Sequence, residues 1–172
     1  NQGHFFNELS LTKRFTPAGP DHAQVASLAG IADYVDAVFD HHFKHKAKPF
    51  ERAQCVHSLQ REHEKKILAP LLEYIKNRTE ITLVGSTNLE NRVPTLSLNL
   101  GASVKDITLG LCKDGLMVDR GDFYAVRLLE ALGISVSHGV LRLSFVHYTS
   151  EQDVEKLIAA LDKHIPHHVE SQ

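Results

Sequence analysis

Near residue 80 the spacing of apolar residues changes, and that change limits the possible folds more than any other feature of the chain. Before it, Val25, Leu28, Ile31, Val35, Val38 and Phe39 recur at helical spacing, from His22 to about Phe43. Pro17, Gly19 and Pro20 mark a turn ahead of this run, and Asp21 stands where a helix cap belongs. Lys44-His45-Lys46-Ala47-Lys48 is a basic breaker, and Pro49 suits a first helical position. A second helical run extends from about Pro49 to Asn77, with Val56, Leu59, Ile67, Leu71 and Ile75 on one face. Pro70 lies inside it and is expected to kink or split it.

After the change, short alternating runs take over. Ile81–Val84, Thr95–Leu100, Leu116–Asp119 and Val140–Val146 read as strands, with Ile134–Val136 as a brief extended piece. Between them, Val104–Leu111 and Tyr124–Leu132 read as helices, closed near Gly115 and by Gly133. Ser150-Glu151-Gln152-Asp153 has the form of a capping box opening a last helix to about His164. Short strands interleaved with helices predict an α+β fold: a small, mostly antiparallel sheet with helices packed on one face. The basic breaker divides the chain into residues 1–48 and a C-terminal domain at 49–172.

Composition excludes several function classes. The chain has 172 residues with 42% hydrophobic and 23% charged content, which fits a globular protein with its own core. A net charge of -2 gives no strong electrostatic pull toward nucleic acid or an anionic membrane. No apolar run approaches the roughly 20 residues needed to span a bilayer. Two cysteines, Cys55 and Cys112, are too few for a disulfide framework and fit a cytoplasmic setting as incidental or buried thiols. Among the twelve histidines, His41 and His45 are four apart but sit among lysines, and His63-Glu64 lacks the second His of a zinc motif. No metal site is expected.

One residue invites chemistry. Arg142 stands among Val140, Leu141, Leu143, Phe145 and Val146. A guanidinium covered by such neighbours needs an anion to meet it. Either an internal carboxylate pairs with it, or it waits for a ligand's carboxylate, which its planar fork grips through two hydrogen bonds. His147 follows in a His-Tyr-Thr-Ser turn and reads as ordering that turn.

Four segments in order resemble the class V aminotransferase and cysteine desulfurase superfamily, fold-type I enzymes dependent on pyridoxal phosphate (PLP). Arg14-Phe15-Thr16-Pro17-Ala18-Gly19-Pro20-Asp21 is similar to the family's Phe-x-x-Gly-Thr-Pro turn. Arg92-Val93-Pro94-Thr95 resembles its Arg-x-Pro-Thr lead into the central small-domain strand. Gly115-Leu116-Met117-Val118 and then Gly121-Asp122-Phe123-Tyr124-Ala125 resemble its Gly-Ile-x-Val and Gly-x-x-Cys/Tyr-Ala segment. Arg142 with the turn after it completes the set.

The resemblance implies a small domain at 49–172 and a remnant of the large PLP domain at 1–48. It implies that Arg142 binds the α-carboxylate of an amino-acid substrate and that Gly19 and Thr16 lie near the cofactor phosphate. Gly19 replaces the family's phosphate-binding Thr, so a side-chain contact is lost there. Tyr124 occupies the place of a desulfurase's catalytic cysteine, and a Tyr cannot carry a persulfide. The family's Schiff-base lysine, phosphate loop and pyridine-facing acid all lie N-terminal to the Phe-x-x-Gly-Thr-Pro turn. The chain opens Asn1-Gln2-Gly3-His4-Phe5-Phe6, which reads as mid-protein sequence. The expectation is therefore a C-terminal fragment of a PLP enzyme, homodimeric in the parent, inactive by itself, with no catalytic residue of its own and no PLP bound. The alternative is a complete small module that binds a carboxylate or other anion through Arg142.

Overall fold

The computed structural model describes Leu9, Leu11 and residues 21–166. Two compact units emerge, Asn1–Ser58 and Leu59–Gln172. Thr16, Gly19 and the turn that contains them lie outside the described residues, as does the chain beyond residue 166.

In the first unit, helix α1 spans His22–His42. Asp21 caps it: its side chain accepts from the N–H groups of Ala23 and Gln24, two donors that have no partner within the helix. Phe39 is fully buried, stacked on Phe43 at 5.0 Å with Arg52 over its ring at 4.8 Å. Arg52 also bridges Asp36 and Asp40. Further toward the N-terminus the stripe is bare, with Val25, Leu28 and Ile31 each more than half exposed.

Helix α2 spans Pro49–Lys76 without a break. Of the two expected effects of Pro70, a kink or a split, the split does not occur. Proline removes its own N–H from the ladder and crowds the carbonyl four residues back, and the burial of Leu68, Leu71 and Leu72 on either side of it offsets that cost.

The second unit is built around a four-stranded sheet: β1 (Thr82–Val84), β2 (Thr95–Asn99), β3 (Asp119–Gly121) and β4 (Val140–Ser144). The order is β1-β2-β4-β3 and every pairing is antiparallel. Helices α3 (Val104–Lys113) and α5 (Glu151–His164) complete the main layer with α2. Leu96 and Leu98 of β2 and Leu141 and Leu143 of β4 enter one core with Ile67, Leu71, Ile107, Leu111, Leu157 and Leu161. Each such side chain stabilises the fold by about 1.5–3 kcal/mol relative to exposure. The α+β fold with an antiparallel sheet and a helical layer is thus as the sequence predicts.

A smaller helix, α4 (Val126–Ala131), lies on the other side of the sheet at one end. There Leu129, Ile134 and Val140 form a separate cluster, with Phe123, Val84 and Val136 packed against it. The rest of that sheet face carries Thr95, Ser97, Arg142 and Ser144.

Two expected strands are displaced. The apolar run Leu116–Val118 does not join the ladder; the pairing starts at Asp119 and runs to Gly121. Leu116 and Val118 instead pack against the core edge, so their alternation reflects burial without strand pairing. Ile134–Val136 belongs to a turn, closed by His138 and Gly139 N–H groups donating to the Ser135 carbonyl.

The far ends of α2 and α5 are tied by Arg78. Its guanidinium reaches Asp162 at 2.7 Å, Glu80 at 3.2 Å, the Tyr74 hydroxyl at 2.7 Å and the Ile165 carbonyl at 2.8 Å. Gly110 of α3 lies under the His164 ring, where a Cβ would stand 2.5 Å from Nδ1, and His164 Nε2 meets Asp114 at 2.7 Å.

Candidate functional site

The period of two along β4 decides where Arg142 points. Leu141 and Leu143 face the core, so Arg142 and Ser144 face the opposite side. Arg142 is therefore exposed, and the expectation that apolar neighbours cover it is overturned: they lie on the other face or at the ends of the strand. Among the described residues no carboxylate forms an ion pair with it.

What Arg142 does touch is an aromatic ring. Its guanidinium carbon lies 3.9 Å from the centroid of Phe123, close enough for a cation–π contact. Phe123 reaches this place through an unusual backbone. Phe123 (φ 48°) and Tyr124 (φ 62°) are consecutive left-handed residues without glycine's freedom. Asp122 supports them: its Oδ1 accepts from Tyr124 N–H at 2.8 Å and its carbonyl from Ala125 N–H at 2.8 Å. The same turn leaves the Tyr124 side chain fully in solvent. Behind it, Gly139 lies against Gly121, so closely that a Cβ would meet the Gly121 carbonyl at 2.4 Å. Glycine there is what lets the entry to β4 pass beside β3.

Arg142 lies in the wall of a cavity of about 630 Å³ formed with Cys112, Leu116, Met117, Val118, Asp119 and Ser144. A second cavity of about 230 Å³ adjoins it across Leu116–Val118 and Ser144, with Phe145, Tyr148 and Leu157 in its apolar wall. Cys112 is exposed here and not buried, and its thiol is 3.7 Å from the Val118 carbonyl. Cys55 is half-buried. The turn after β4 is fixed by His63, whose Nε2 donates to the Thr149 carbonyl at 2.7 Å. His147 stacks edge-on with Tyr148 at 5.2 Å. Arg92, in the second resembling segment, is structural. It donates to the Ser86 and Thr95 carbonyls and pins the loop between β1 and β2, and burial holds its pKa below the ordinary arginine value.

Arg142 offers the larger cavity a planar set of N–H donors, whereas the lining has no lysine to bond PLP covalently and so does not fit the cofactor itself. Sequence reasoning found Arg142 but missed Phe123, Asp119 and Cys112 as its neighbours. The Gly121-Asp122 pair was the available signal, since such pairs open tight turns that re-aim the next side chains.

The family described as aminotransferase class-V matches residues 52–157. The aminotransferase-like protein FGM3 of Gibberella zeae is 34% identical over 108 residues, which are 59% of this chain and 26% of that protein. Probable cysteine desulfurase 2 of Mycobacterium leprae is 26% identical over 150 residues, 87% of this chain and 31% of that protein. The apo structure of a cysteine desulfurase from Thermococcus onnurineus NA1 superposes with a TM-score of 0.53 at 25% identity, covering 60% of this chain and 25% of that one. The cysteine desulfurase CsdA of Escherichia coli shares the fold, with a TM-score of 0.51 at 22% identity over 60% of this chain and 25% of that one. The chain thus spans between 26% and 31% of the length of these curated relatives.

Proposed function

The chain belongs to the aminotransferase class-V family of fold-type I, PLP-dependent proteins, and from that premise we propose that it is the substrate-carboxylate-binding part of such an enzyme. In this reading residues 49–172 are the small domain and residues 1–48 the remnant of the large one. The longer protein holds PLP, which supplies the electron sink for chemistry at an amino acid's α-carbon. This chain supplies the grip on the amino acid. The observation that carries the reading is Arg142: exposed on an open sheet face, lining a cavity, and without an ion pair among the described residues.

The guanidinium receives the α-carboxylate through two parallel N–H···O bonds. Phe123 packs against the guanidinium at 3.9 Å, and Arg142 also lines the cavity. Tyr124 in place of a thiol cannot accept sulfur, so this loop does not serve a persulfide step. By itself the chain is inactive. The exposed Val25, Leu28 and Ile31 support a homodimer through α1.

The test uses the protein that carries the cofactor-binding domain. Arg142→Ala is expected to weaken amino-acid binding by about 2–5 kcal/mol while the fold is kept. Arg142→Lys recovers only part, because an ammonium lacks the fork. An Ala variant that unfolds, together with a Lys variant of unchanged affinity, would show that Arg142 is structural.

A further inference from the structure

Asp119 and Arg142 are directly opposite each other on β3 and β4. Opposite charges in that position normally attract and pair across the strands. Here they do not. Among the described residues neither enters an ion pair, and both are exposed in the wall of the same cavity. Among the described residues, Asp119 Oδ1 accepts from the next residue, Arg120 N–H, at 2.8 Å.

The reason is the ring of Phe123. It holds the Arg142 guanidinium at 3.9 Å, away from the carboxylate opposite. The ring does not swing freely, since it packs against the cluster of Leu129, Ile134 and Val140. The left-handed pair Phe123–Tyr124 sets the direction from which it arrives. A cation–π contact and an exposed ion pair are of similar strength, so the one with the fixed partner prevails. The result is one cation and one anion held apart in a single cavity.

We propose that this cavity selects amino acids whose side chain ends in a cationic or N–H-donating group. Arg142 takes the carboxylate and Asp119 takes the donor at the other end of the same molecule. A ligand with a second carboxylate meets Asp119 as a like charge and is disfavoured. This assignment rests on the reading of Arg142 as the carboxylate site and adds the substrate class.

The test titrates the ¹⁵N-labelled full chain with three probes: pentanoate, 5-aminopentanoate and glutarate. The Arg142 Nε–H and the β3 and β4 amides report binding. The amino acid probe is expected to bind about three- to fivefold tighter than pentanoate, as an exposed ion pair allows, and glutarate weakest. Asp119→Asn should erase the advantage of the amine and improve glutarate. Asp119→Ser is the second variant should the first fail to fold. Phe123→Leu should weaken pentanoate and 5-aminopentanoate together, because Arg142 is then free to fall onto Asp119. Equal affinity for pentanoate and 5-aminopentanoate, with Arg142 responding to both, overturns the Asp119 assignment and leaves the carboxylate site standing. An amine advantage that survives both Asp119 variants also overturns it. If the Arg142 signal moves with no probe, the carboxylate site and the assignment built on it both fall.

Discussion

Two arginines, Arg78 and Arg142, show what decides whether a cation holds the structure or stays available. Arg78 is buried and meets two carboxylates, a hydroxyl and a carbonyl. Its donors are spent on joining the ends of α2 and α5. Removing it takes a buried, multiply bonded guanidinium out of the structure and strips the Ile165 carbonyl of that bond, so Arg78→Ala is expected to cost about 3–5 kcal/mol, read from urea unfolding. Arg142→Ala should cost far less in the same assay, because its side chain stands in solvent. Tyr74 gives the Arg78 site a pH signature. Burial, helped by Asp162 and opposed by Arg78, pushes its phenol from 10.0 up to about 12. The folded chain then keeps the proton over a range where the unfolded chain loses it. Stability from this group is complete below pH 10 and is lost as pH rises toward about 12. Tyr74→Phe should flatten that alkaline decline, measured as Tm against pH.

At the scale of elements, the helix ends and the central strands were the parts most legible in the sequence. Asp21 and Ser150 are caps because their short side chains reach N–H groups that the helix leaves unpaired, and that is a local property. Ser150 Oγ accepts from Asp153 N–H at 3.1 Å while Asp153 Oδ2 accepts from Ser150 N–H at 2.9 Å. Ser150→Ala should destabilise α5 by about 1 kcal/mol, checked by thermal unfolding. β2 and β4 were legible because each buries one face and exposes the other. β3 was not, since Asp119–Gly121 has no apolar face and becomes a strand only because β4 offers it a ladder. The site was legible to the same degree. Arg142 announced itself as a charge in an apolar strand. Its true exposure followed from the period of two, which the apolar neighbours at the strand ends concealed. The left-handed Phe123–Tyr124 pair had no sequence signature beyond Gly121-Asp122, because tertiary packing imposes it.

Across the whole molecule, apolar burial is unevenly shared. The large core lies within Leu59–Gln172, while Val25, Leu28 and Ile31 of α1 are left exposed. Each forfeits about 1.5–3 kcal/mol relative to burial, and a contiguous bare stripe promotes association. Light scattering is expected to give twice the chain's mass, and Leu28→Glu to restore the single-chain mass; a monomer at all concentrations would contradict the homodimer. The alternation along β4 has a longer consequence. Residues 141 and 143 face the core and residues 142 and 144 face the opposite side, though all four sit in one strand. A lineage can therefore exchange one set while the other is untouched. Ligand preference in such a domain is free to diverge without passing through unstable intermediates.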